Sequence, residues 1–173
     1  SISTMLLYDD LTFVKSDTGG YDADFEWIIA VYNEKERVVF SRTVNKKVNV
    51  ANYELTNSRS ERVLLKEDFT IDPGEYTILL RTIDLVSSKT AQRKVEMVFP
   101  DHSQKELSLS GIMFLHDVQV DSNGLVMDFE PTFSNNFPLR RGEFYIYFDL
   151  YSAQTGSEAT VRYILKNDDE ETE

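Results

Sequence analysis

Two histidines, His102 and His116, stand fourteen residues apart. With Asp101 or Asp117 they could frame a metal site. Their spacing is not that of a helical zinc motif, and the chain has no cysteine to add a thiolate. Both read as surface histidines, and no metal or other cofactor is expected. A serine hydrolase needs serine, histidine and an acid brought together, often on a Gly-x-Ser-x-Gly elbow. That elbow is absent, and Ser110-Gly111 reads as a bend in a strand. Asp22, Asp24 and Glu26 occupy alternate positions, about 7 Å apart on one face of a strand. A glycosidase needs acids across a cleft rather than in one row, so these read as a solubilising outer face. Asp121-Ser122-Asn123-Gly124 departs from a calcium loop, because glycine is fourth rather than sixth and the twelfth residue is Thr132. The seven glycines are scattered, and none opens a phosphate-cradling helix. No catalytic constellation emerges, and the chain is expected not to be an enzyme.

Two features suit binding instead. From Phe144 to Tyr151, Phe144, Ile146, Phe148 and Leu150 share one face of a strand, and Tyr145, Tyr147 and Tyr151 share the other. If the even face is core, the three tyrosines form an outer stripe. Such a stripe can stack on sugars or anchor a protein partner, since tyrosine joins apolar area to a polar tip. The competing reading buries both faces. Lys46-Lys47, between Val44 and Val48, reads as protection of an edge strand or as a small basic patch for an acidic partner. Tyr76, just after Asp72-Pro73-Gly74, suits a tyrosine-corner hydrogen bond, a structural role.

The elements that carry these residues are strands. Odd positions Tyr21, Ala23, Phe25, Trp27, Ile29 and Val31 alternate with Asp22, Asp24 and Glu26, which predicts a half-buried strand with the odd face inward. Tyr76, Ile78 and Leu80 repeat the pattern. Ala91, Val95, Met97 and Phe99 do so again, with Arg93 interrupting the face. A further strand is expected from Arg62 to Ile71. No dozen residues sustain a helical apolar period. Turns are expected at Asp17-Thr18-Gly19-Gly20, Asn33 to Glu36, Asp72-Pro73-Gly74, Ser87-Ser88 and Asp121 to Gly124. About seven strands in 100 residues predict an antiparallel β-sandwich.

A boundary is expected near Pro100. Residues 1–100 form one sandwich of immunoglobulin or fibronectin-III type, and residues 101–173 a second, partial one ending in an acidic tail, 167–173. Strands are expected at Leu107 to Leu115, Leu125 to Phe133, Phe144 to Ser152 and Thr160 to Lys166. The net charge is −12, of which −9 lies in the second segment. That charge argues against nucleic-acid binding, which draws its affinity from cations on phosphates. The longest apolar run, Trp27 to Tyr32, is far shorter than a membrane span of about 20 residues, so no transmembrane segment is expected.

The order of these motifs resembles a known family. Asp72-Pro73-Gly74-Glu75-Tyr76 leads into Thr77 to Asp84. The Ser87-Ser88-Lys89 hairpin, a strand ending at Pro100, Leu107 to Ile112, Glu130-Pro131 and Tyr145 to Tyr151 follow. This resembles the sandwich region of bacterial proteins named for a Gly-Trp-x-Thr-Asp motif, found mainly in the Bacteroidetes–Chlorobi group. The naming motif itself is absent: the only tryptophan, Trp27, is followed by Ile28-Ile29. The resemblance implies an exported protein, periplasmic or envelope-associated, and brings no established activity. The expected function is a non-catalytic spacer and protein-interaction unit that also self-associates, since four strands leave apolar faces uncovered. The alternative is a carbohydrate-binding module that uses Tyr145, Tyr147 and Tyr151.

Overall fold

The computed structural model describes residues 1–103, 106–133, 145–152, 158, 160–162 and 164. Its longest strands meet as a hairpin. β3 (Tyr21–Asn33) and β4 (Val38–Val50) run thirteen residues each and pair antiparallel. Their turn is closed by the Asn33 carboxamide oxygen, which accepts from the amides of Lys35 and Arg37, while Glu36 takes a left-handed φ of 56°. The odd face of β3 is inward, as the alternation predicts: Ala23, Phe25, Trp27, Ile29 and Val31 are all buried.

β6 (Gly74–Asp84) pairs with the other edge of β3, and β7 (Thr90–Phe99) pairs with β6. The short β2 (Val14–Lys15) extends that same edge of β3 at Tyr21 and Asp22. This sheet faces a smaller one of two strands, β1 (Ile2–Leu7) and β5 (Arg62–Glu67), paired from Ile2 opposite Glu67 to Leu7 opposite Arg62. Ile2, Leu6, Val63 and Leu65 close over the β3 row, so the core is the space between two antiparallel sheets. The chain is all-β, with antiparallel sheets packed as a sandwich. Among the described residues α-helix is confined to one turn, α1 (Tyr53–Thr56), capped by the Asn52 side chain.

Residues 1–100 hold seven strands, the number expected, with one boundary corrected. β5 stops at Glu67, and Phe69 and Ile71 pack against the core from the connection that follows, where Phe69 stacks on Phe40 with centroids 4.6 Å apart. Tyr76 forms the expected corner: its hydroxyl donates to the Asp72 carbonyl at 2.8 Å. Gly74 has a φ of +155°, more open than a type II turn, and a Cβ there would press on the Tyr76 ring at 3.4 Å.

The second segment departs further from expectation. The strand expected from Leu107 to Leu115 is two, β8 (Leu107–Leu109) and β9 (Met113–Val120). The one expected from Phe144 to Ser152 is also two, β11 (Tyr145–Tyr147) and β12 (Leu150–Ser152). β9 pairs with β10 (Val126–Pro131) and with β11, whereas β12 pairs with β8. Both breaks have one cause. Three residues separate Leu109 from Met113, but only two separate Tyr147 from Leu150, so one strand carries an extra residue and both bend there. Ser110 holds the bend: its amide donates to the Asp149 carbonyl and its hydroxyl accepts from the Asp149 amide. Asp121 to Gly124 is a hairpin turn between β9 and β10, with Asp121 accepting from Asn123 and Leu125. Residues 160–162 and 164 are not in a strand, which corrects the strand expected from Thr160 to Lys166 as far as it is described. Phe144 and the acidic tail lie outside the described residues.

Candidate functional site

The three tyrosines do not share one strand. Tyr145 and Tyr147 sit on β11, and Tyr151 lies beyond the bend on β12. The Tyr147 ring stacks on Phe129, 5.6 Å between centroids, and its hydroxyl donates to Asp149 at 2.8 Å, which pushes the phenol pKa up. The Tyr151 ring lies flat on His102 at 4.2 Å, and His102 Nδ1 is 2.8 Å from the Ser108 hydroxyl. Tyr145 and Tyr151 remain exposed by about two fifths. The tyrosines thus project from two strands, and two of the rings each have one flank occupied.

Around them the second segment displays much apolar surface. Phe114 and Ile146, cross-strand neighbours on β9 and β11, are 40% and 38% exposed, and Ile112 is 65% exposed. Leu115 is the one apolar residue buried in this segment among those described. The segment also docks on β5. The outward residues of β5 meet β10: Lys66 pairs with Asp128 at 3.6 Å and lies 4.1 Å from the centre of the Phe129 ring, and Arg62 pairs with Glu130. A cleft of about 250 Å³ lies along this contact, lined by Leu64, Lys66, Asp117 and Asp128 among others.

The acids read as a free outer row are partly engaged. Asp22 is buried, accepts from Asn49 at 2.6 Å and pairs with Lys47 at 2.9 Å. These donors hold its carboxyl down to about 2, the Asn49 amide first among them, and Lys47 is raised in return. Asp24 and Glu26 are half-buried on the outward face; Asp22 is structural, because register brings Asn49 beside it. Lys46 and Lys47 do lie on an edge strand, since among the described residues β4 pairs only with β3. Lys46 and Arg42 occupy the inward register of β4, opposite Phe25 and Ile29, and Arg42 reaches Glu67 of the facing sheet at 3.7 Å. Inward charges of this kind stop an edge from recruiting another strand.

Sequence reading missed Asp84, a buried carboxylate at the end of β6. It accepts from the amide of Thr12 at 2.6 Å and from those of Val86 and Ser87 at 2.9 Å each. Burial pushes this carboxyl up, but the donated hydrogen bonds outweigh it and leave the pKa below the ordinary value. Local sequence offered half the signal, an Asp before Ser-Ser in a hairpin; the Thr12 contact is 72 residues away.

His116 is exposed on β9, and among the described residues no three His, Asp or Glu side chains are grouped to hold a metal ion. No helix among them is long and apolar enough to cross a membrane. Comparison with family models, with curated proteins and with solved structures finds no match for the chain.

Proposed function

We propose that the chain is a non-catalytic β-sandwich unit of an exported envelope protein, serving as spacer and protein-interaction module. The observation that carries this reading is the exposed apolar surface around Phe114 and Ile146, on a sheet that buries one large apolar side chain among those described. Contiguous apolar patches on soluble domains mark interaction sites. The order of the Asp72-Pro73-Gly74-Glu75-Tyr76 corner and the strands after it supports a sandwich of the Gly-Trp-x-Thr-Asp type, and with it an envelope location. Light scattering over a concentration series tests the reading. Association that Ile146→Glu abolishes supports it; a strict monomer with Phe114 and Ile146 still open to solvent counts against it.

A second reading, carbohydrate binding, rests on the exposure of Tyr145 and Tyr151. Polysaccharide binding lost on Tyr145→Ala or Tyr147→Ala would favour it over the first.

A further inference from the structure

The two sheets of the first sandwich differ in width. The larger runs β4-β3-β6-β7, with the short β2 beside β6 on the same edge of β3, and among the described residues the smaller is β5-β1 alone. Strands lie about 4.8 Å apart, so the smaller sheet is about two strands, or 10 Å, too narrow. The deficit falls on one side. β5 is anchored over β4 by the Arg42–Glu67 pair and by the stacking of Phe69 on Phe40. The inner faces of β6 and β7, on the far side, are left with no strand above them. A groove of about 440 Å³ opens there, floored by Ile78, Leu80, Val95, Met97 and Phe99, walled on one side by Ser1 and by Ile2 and Ser3 of β1, and bounded also by Phe69 to Ile71 of the connection after β5. Met97 is 44% exposed although it points inward.

The β1 wall of this groove is an unpaired strand edge, since β1 pairs only with β5 among the described residues. Its free amide and carbonyl groups are the template that strand addition uses. At the next inward position beyond Val95 stands Arg93, opposite Leu80, exposed and in no ion pair among the described residues. Arg93 sets a positive charge at the rim of an otherwise apolar floor, and none of the groove-lining residues is acidic.

We infer that this groove binds an extended segment of a partner protein, pairing along β1, with apolar residues facing the floor and a carboxylate over Arg93. A second copy does not fit. Its own β1 would bring along a sheet four strands wide that overhangs β1 by about two strands, and the two β7 strands would collide. The inference rests on the chain being an interaction module, but it uses a face remote from Phe114 and Ile146 in the strand order.

The probe is a pair of labelled peptides of about nine residues alternating threonine and valine, one with a central glutamate in place of valine and the other with lysine. The full chain should bind the glutamate peptide, with amide resonances shifting in β1 and β7 and not in β9 or β11. A two- to fivefold preference for glutamate over lysine is expected, the range of an exposed ion pair. Arg93→Glu should reverse it, and Met97→Glu should abolish binding of both peptides. Both positions are exposed, so the fold should survive. Binding that leaves β1 unshifted, or a preference that Arg93→Glu does not alter, overturns the proposal. So does the absence of binding at millimolar peptide, or β1 shifts that grow with protein concentration alone. Association through Ile146 would stand or fall separately, since light scattering does not read the groove.

Discussion

Replacing Asp84 by alanine tests whether one buried carboxylate ties the sandwich of β1 to β7 together. Its two oxygens accept three backbone amides, from Thr12 before β2 and from Val86 and Ser87 in the β6–β7 turn. A hydrogen bond to a charged group contributes about 1.5–3 kcal/mol when its loss leaves the donor buried. Val86 and Ser87 are exposed, so water can replace the carboxylate there. Thr12 is half-buried, and its amide would lose its acceptor. The expected loss for Asp84→Ala is therefore about 2–3 kcal/mol, which for a chain of this size lowers Tm by roughly 5–10 °C. Urea denaturation followed by fluorescence reads it directly, because the single tryptophan, Trp27, is 1% exposed in the core. Asp84→Asn keeps one acceptor oxygen and should lose about half as much. The pH dependence has a definite sign. The folded-state pKa of Asp84 lies below its unfolded value near 4. Its contribution is complete above that unfolded value and disappears as pH falls through the folded one. The difference between wild type and Asp84→Ala should thus be full at pH 7 and shrink below pH 4. A loss under about 0.5 kcal/mol at pH 7, or one that persists undiminished at pH 2.5, would refute the reasoning.

Two further substitutions probe the backbone. Tyr76→Phe removes the corner hydrogen bond to Asp72 while keeping the ring, and should cost about 1 kcal/mol in the same urea experiment. Gly19 and Gly20 both have positive φ, but a Cβ on Gly20 would strike the Val50 carbonyl, whereas one on Gly19 meets nothing within 4 Å. Gly20→Ala should therefore lower the urea midpoint well beyond Gly19→Ala, which carries only the left-handed strain of about 1–2 kcal/mol.

What could be read from sequence was what is local. The inward row of β3 follows from alternation, and the Tyr76 corner spans only four residues. Alternation places Asp22 in an outer row because it reports direction and not company; Asn49 and Lys47 reach it only through the β3–β4 register. The bend at Ser110 and Asp149 escaped for the same reason, since an extra residue exists only relative to a partner strand. That bend separated Tyr151 from Tyr145 and Tyr147. Arg93 was visible as an interruption of an apolar face, but the groove beside it depends on which strands share a layer, and no window of sequence contains that.

The pairing of β1 with β5 also governs when the fold can close. β3–β4 and β6–β7 are hairpins with short turns and can form as soon as their own residues are available. β1 must wait for a strand some sixty residues downstream, from Ile2 to Glu67. Closing so long a loop is slow, because its entropic cost precedes any reward from contact. Until then Ile2 and Leu6 have no roof to complete, and the β3 row with Trp27 at its centre lies open to solvent. β1 and β5 are thus expected to pair late in folding and to part early in unfolding, and the life of the sandwich is set at the layer that holds fewest strands.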